Sequence, residues 1–228
     1  MSVLIFQEII QMATNKNQHF VPRCYLKAFT VNAENLAINL FSLDRKKLIQ
    51  NAPVKNQCSR DYFYGQDDRL ETAIQLIETG YAKAIRDLIV NNSSLSNDNK
   101  IVFKIFWIFQ HLRTEAAAMR AVQMTEDTRD IAGIDAEEFS IGIKEAVQMA
   151  CRAFSESMHI IDDLKFCILK NKTKLPFVTS DNPAILTNKW RLDKDRIPGH
   201  SFGLGSSGTL ILLPLTPKLF FLGYDGDV

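Results

Sequence analysis

Ile101-Val-Phe-Lys-Ile-Phe-Trp-Ile-Phe-Gln-His-Leu-Arg-Thr114 decides how this chain folds. The run from Ile101 to Phe109 is apolar at every position but Lys104, so a helix built from it is apolar on nearly every side. It falls well short of the roughly 20 residues needed to span a bilayer, which leaves a buried central helix of a globular protein. Gln110, Arg113 and Thr114 follow at i, i+3 and i+4, so one polar face is carried into that buried surface. Ser96-Asn-Asp-Asn99 supplies N-cap candidates in front, and the helix is expected to run to about Asp130.

The elements on either side follow from hydrophobic period. Upstream, Leu70, Ile74, Ile77, Tyr81, Ile85 and Leu88 recur at three- and four-residue steps, predicting an amphipathic helix from Asp68 that ends near Asn91-Asn-Ser-Ser. Downstream, Phe139, Ile143, Val147, Cys151, Phe154 and Met158 form the stripe of a third helix between about Asp135 and Leu164. Alternation in Leu36–Leu43 and Leu48–Ala52 around Asp-Arg-Lys-Lys predicts a β-hairpin, and Asp61–Tyr64 a further short strand. Pro22 opens a short helix on which Tyr25, Leu26 and Phe29 share an apolar side. Strand signals return at Phe166–Leu169, Phe177–Thr179, Thr209–Leu213 and Leu219–Leu222, with a long surface loop over 187–208. The expectation is α+β: a mixed or antiparallel sheet of N- and C-terminal strands packed on a central bundle of three long helices. It is read as one domain over 1–228, divided into an N-terminal motif and hairpin (1–66), a helical middle (67–164) and C-terminal strands (165–228).

Composition sets the class. Apolar residues at 46% and charged ones at 23% are ordinary for a globular protein, and no stretch is long enough for a membrane helix. Met1 to Met12 lacks the basic n-region and cleavage site of a signal peptide, and a start at Met12 is an equal reading. Cys24, Cys58, Cys151 and Cys167 form no CxxC pair and have no metal-ligand spacing with the histidines, so free thiols in the cytoplasm and no metal are expected. The net charge of +1 is unevenly spread. Residues 1–60 hold eight Lys and Arg against three Asp and Glu, residues 61–165 eleven against eighteen, and residues 166–228 eight against five. Basic ends that meet in space would present a positive face to an anionic partner such as DNA or RNA.

Three places concentrate candidate chemistry. Thr179-Ser-Asp-Asn-Pro183 leaves an apolar strand, and its side chains suit either a self-capped turn or a site at a strand end. In the second case Asp181 is a general base or electrostatic stabiliser, with Thr179, Ser180 and Asn182 orienting a ligand. Arg113 in a buried helix must find a partner, because an unpaired buried charge costs several kcal/mol; Asp181 is the expected one, assisted by Glu115. Arg113 then either ties helix to sheet or grips a phosphate or carboxylate bidentately, with Gln110 and Thr114 beside it. His19 is either a satisfied structural histidine or a general acid/base. Arg23 and Lys27 could contact phosphates and Tyr25 could stack on a base, although surface cations and core aromatics are the common roles. His111 reads as a core histidine; His159 and His200 carry no supporting context. Gly203-Leu-Gly-Ser-Ser-Gly208 has GxGxxG spacing but precedes a strand, so a loop is expected and no cofactor.

Asn17-Gln-His-Phe-Val-Pro-Arg-Cys-Tyr-Leu-Lys-Ala-Phe29, Gln110-His-Leu-Arg-Thr114, Phe177-Val-Thr-Ser-Asp-Asn-Pro183 and the Pro-Leu-Thr-Pro run at 214–217 together resemble the bacterial family called domain of unknown function 4238. That resemblance implies that more chain follows Val228 and that relatives serve in defence against phage. The expected activity is a nucleic-acid hydrolase with His19, Arg113 and Asp181 as its reactive cluster. Because no carboxylate triplet suits two metals, metal-independent cleavage of the N-glycosidic bond of a modified base fits best, as in a DNA glycosylase. The alternative is a non-enzymatic nucleotide- or protein-binding sensor in which the same residues form a helix-to-sheet clasp.

Overall fold

A computed structural model describes residues 16–31, 34–91, 94–135, 140–191 and 202–226. The first strand, β1 (Asn17–His19), runs into a short helix, α1 (Arg23–Leu26), which continues as a 3-10 turn to Phe29. Pro22, with φ −67° and ψ 146°, is the extended residue at its start. A hairpin of β2 (Ala37–Ser42) and β3 (Lys47–Pro53) follows, and then β4 (Ser59–Asp61), which pairs antiparallel with β1. The strand anticipated at Asp61–Tyr64 thus lies two residues earlier; Tyr62 adopts a left-handed φ of 49° and ends the pairing.

Four longer helices form the middle: α2 (Asp68–Val90), α3 (Asn97–Leu112), α4 (Glu115–Ala132) and α5 (Ile143–Ser157). Asp67 caps α2 by accepting from the Arg69 and Leu70 amides, and Ser96 caps α3 by accepting from Asn99. The long helix expected from 97 to 130 is two helices. Arg113 ends α3, and Thr114, extended at ψ 158°, accepts the Ala117 amide and starts α4. The third expected helix begins later, at Ile143; Phe139 lies outside the described residues.

The sheet that supports the helices is all C-terminal: β5 (Leu164–Lys170), β6 (Ile185–Asn188), β7 (Thr209–Thr216) and β8 (Leu219–Asp225) in the order β5-β8-β7-β6, every neighbour antiparallel. The α+β class holds, while the N-terminal strands form two separate two-stranded sheets instead of joining this one. The strand expected at Phe177–Thr179 does not form, and Pro176 beside it cannot donate to a ladder. Residues 192–201, within the loop expected over 187–208, lie outside the described residues, as do His200 and Met1–Met12.

α3 occupies the centre, as its sequence requires. Phe103, Phe106 and Trp107 are fully buried. Phe106 stacks on Tyr81 of α2 at 3.9 Å, Phe109 meets Phe154 of α5 edge-on at 5.3 Å, and Phe103 contacts Phe221 of β8. The Trp107 indole donates to the Leu212 carbonyl at 3.0 Å, fixing the rotation of α3 against the sheet. Its polar C-terminal end is thereby aimed at the N-terminal motif.

Candidate functional site

The passage from β1 to α1 leaves the His19 and Phe20 carbonyls pointing inward, and buried carbonyls need donors. The end of α3 supplies them. Gln110 donates to the Phe20 carbonyl at 2.8 Å, Arg113 Nε donates to the same oxygen at 3.1 Å, and Arg113 Nη2 donates to the His19 carbonyl at 3.0 Å. Arg113 is completely buried, with its guanidinium against the faces of Phe109 and Tyr64. Its ion partner is Glu78 of α2, at 2.9 Å from Nη2. Burial opposes the Arg113 charge, and Tyr64 and Glu78 outweigh it and keep the group protonated. The expected Arg113–Asp181 pair is therefore absent, and Glu115 pairs with Arg60. The physical reason is depth: Glu78 comes off a helix packed beside α3, whereas Asp181 sits exposed on a connecting segment.

That segment is held by the neighbouring residue. The Thr114 hydroxyl donates to Asn182 Oδ1 at 2.8 Å while accepting the Ala117 amide, so one side chain caps α4 and clamps the loop. Thr179 Oγ1 bonds the Tyr25 hydroxyl at 2.8 Å, and that hydroxyl also donates to the Pro214 carbonyl. The Asn182 amide donates to Ser180 Oγ, closing the self-capped turn. His111 stacks on Trp107 and bonds the Ala184 carbonyl at 3.0 Å, a satisfied core histidine. The three sequence motifs meet here, in the roles of ties.

A separate cleft of about 140 Å³ opens between β1, α1 and α2, lined by His19, Arg23, Asp67, Glu71, Gln75 and Glu78 among others. Asp181, Ser180, Asn182 and Thr179 are not among its lining residues. His19 and Arg23 reach it directly; Arg113 reaches it through Glu78. Burial, then the Arg23 charge, lower the His19 pKa below its ordinary value, so the imidazole is neutral at pH 7. Two polar atoms of the lining, His19 Nε2 and Glu71 Oε2, are buried with no hydrogen-bond partner among the described residues, and so are Arg113 Nη1 and Gln110 Oε1 at the end of α3. Each such group costs about 1–3 kcal/mol when left unpaired, so native structures rarely gather several together.

A family described as protein of unknown function (DUF4238) matches residues 17–228. The chain belongs to that family. No curated protein and no solved structure matches it. Family membership brings the fold and the motifs together on one chain, and the chemistry must be argued from the cleft.

Glu71, Gln75 and Glu78 of the cleft belong to none of the sequence motifs. They lie at i, i+4 and i+7 of α2, one polar stripe beside the apolar one, and that spacing was the available signal. Burial lifts the Cys24 and Cys58 thiols to about 12 and Cys151 to about 11, so none is a nucleophile at neutral pH. Asp181 lies close enough to Cys58 to contribute to its rise. In Gly203–Gly208 the chain folds back on itself, with Thr209 donating to the Gly203 and Ser206 carbonyls before β7, so no helix N-terminus is offered to a phosphate. Among the described residues no three His, Cys, Asp or Glu side chains are grouped to hold a metal ion, and no helix is long and apolar enough to cross a membrane.

Proposed function

We propose that this chain is a hydrolase acting on nucleic acid, that its reactive centre is the His19 cleft, and that Gln110, Arg113, Thr114 and Asn182 are its scaffold. The observation that carries this reading is the gathering of a neutral imidazole and three carboxylates, Asp67, Glu71 and Glu78, in one small cleft where His19 Nε2 and Glu71 Oε2 have no partner among the described residues. Groups left without protein partners in such a place are suited to a ligand. The reaction that fits is hydrolysis of an N-glycosidic bond. Water adds to the anomeric carbon and gives its proton to His19; the carbon–nitrogen bond breaks with its electron pair on the departing base. Glu78, paired with Arg113, stabilises the positive charge that develops on the sugar. A base turned out of its stack is the substrate such a cleft would take, and a modified, weakly stacked base costs least to extrude. A role in defence against phage accords with this chemistry.

The competing reading is a nucleotide- or protein-binding sensor. It is favoured by the commitment of Gln110, Arg113, Thr114, Thr179 and Asn182 to bonds between elements. The two separate on incubation with modified and unmodified DNA, scoring abasic sites. The hydrolase reading expects abasic sites from the wild-type protein and none from His19→Gln at an unchanged melting temperature. Absence of base release from every substrate, or full activity in His19→Gln, would leave the sensor.

A further inference from the structure

The hairpin of β2 and β3 is unlike the rest of the molecule. Its base is anchored: Ile38, Ala52 and Val54 are buried, and the Val54 amide donates to the Leu36 carbonyl at 2.8 Å. Its distal half, from Phe41 to Gln50, is exposed on both strands except for half-buried Ser42. Among the described residues the two strands pair only with each other, and neither outer edge has a neighbouring strand. An isolated two-stranded ribbon is marginal in water, and this one spends little of its apolar surface on its own core. Phe41 is 59% exposed, Leu43 80% and Leu48 54%. Phe41 and Leu48 are direct cross-strand partners, so their side chains share one face.

The apex carries Arg45, Lys46 and Lys47, which make no ion pair with any described residue. Lys46 holds a left-handed φ of 49° to close the turn. Three unpaired cations at the far end of a projecting arm are placed for an anionic partner. The order of residues along the arm says which kind. Inserted tip-first into a bilayer, the arm would drive its most charged residues deepest, where a cation is costly. In a duplex groove the same order is favourable: the major groove, about 12 Å wide, admits a two-stranded ribbon, cations at its end meet phosphates, and apolar side chains behind them meet base edges.

We propose that the β2–β3 hairpin is a duplex-DNA-binding arm that lies in a groove with Arg45, Lys46 and Lys47 on phosphates and Phe41 and Leu48 against the bases. This rests on the nucleic-acid reading of the His19 cleft and adds to it the form of the substrate. The test is fluorescence anisotropy of a labelled duplex over a salt series, with the Arg45→Glu/Lys46→Glu/Lys47→Glu protein and, separately, Phe41→Ala/Leu48→Ala, each verified as folded by circular dichroism. The triple variant is expected to bind at least tenfold more weakly, with the slope of log K against log salt shallower by about 3. The apolar variant is expected to lose affinity with the slope unchanged. Wild-type affinity in the triple variant, or binding of the wild-type protein to anionic phosphatidylserine vesicles through these residues and not to duplex, overturns the arm. Base release retained alongside wild-type DNA affinity in the triple variant sinks the arm alone. Duplex binding that depends on the apex, without base release by the wild-type protein, sinks the cleft alone.

Discussion

The end of α3 and the cleft beside α2 lie on either side of one guanidinium, and they differ in how far their side chains are committed to bonds between elements. On the α3 side, Gln110, Arg113 and Thr114 make bonds to the Phe20 and His19 carbonyls and to Asn182, and each ties two elements together even though Gln110 Oε1 and Arg113 Nη1 have no partner among the described residues. On the cleft side, His19 Nε2 and Glu71 Oε2 are buried without partners. Residues that stand out in sequence divide accordingly. Those on the first side hold three distant segments together; those on the second have capacity left for a ligand. Removing a group on the first side should cost stability, and on the second side, activity.

The largest effect is expected from Arg113→Met. It leaves Glu78 without its cation and takes one donor from each of two carbonyls, which keep Gln110 and Tyr64, and breaking a buried pair in this way costs about 3–5 kcal/mol. For a chain of this size that lowers the melting temperature by roughly 10 °C, measurable by calorimetry. Arg113→Lys should recover little, since one ammonium cannot serve two carbonyls and a carboxylate in the planar arrangement of the guanidinium. His19→Gln is next and of the opposite kind: base release falls by about 100-fold or more while the melting temperature moves little. Equal losses of stability and activity in both variants would erase the distinction between the two regions.

Thr114→Val should cost about 1–2 kcal/mol, because it removes the α4 cap and the bond to Asn182 together, and Thr114→Ser should restore most of it in urea unfolding. A smaller effect lies in the pH dependence. Burial depresses the pKa values of His19 and His111 below the ordinary 6.5. The unfolded chain then binds protons more readily than the folded one in the window beneath 6.5, so stability is full above that pH and falls on acidification through the folded values. His111→Gln should flatten this decline in melting temperature, and His19→Gln should flatten it further.

What could be read from sequence was periodicity. The α2 stripe and the apolar run of α3 name their buried faces, and β7 and β8 are continuous apolar runs. The break at Arg113-Thr114 was hidden because nothing there is a strong helix breaker and Glu115-Ala-Ala-Ala118 favours helix. It arises from tertiary demand, with Arg113 drawn to the β1–α1 carbonyls and Thr114 turned to cap α4. Phe177–Thr179 has strand composition, yet its polar groups find partners outside a ladder, at the Pro217 carbonyl and the Tyr25 hydroxyl. The convergence of the N-terminal motif, α3 and the Thr179–Pro183 segment was legible. Which carboxylate would meet Arg113 was not, because Glu78 reaches it only through the packing of α2 beside α3, which periodicity does not encode.

Asp181→Asn measures that last point and should have the smallest effect. Asp181 is exposed, forms no ion pair with any described residue and does not line the cleft, so replacing its carboxylate with an amide of the same shape leaves every bond around it intact. Asn182 keeps its contact with Thr114, and the turn closed by Ser180 uses a backbone amide that the substitution does not touch. The change in unfolding free energy should stay within about 0.5 kcal/mol, and base release should match the wild-type protein. Because Asp181 contributes to the raised pKa of Cys58, the thiol should react slightly faster with a disulfide probe at pH 9 in the variant. A large loss of activity with normal folding would return the reactive centre to the Thr179–Pro183 segment and reverse the roles given to the two sides of Arg113.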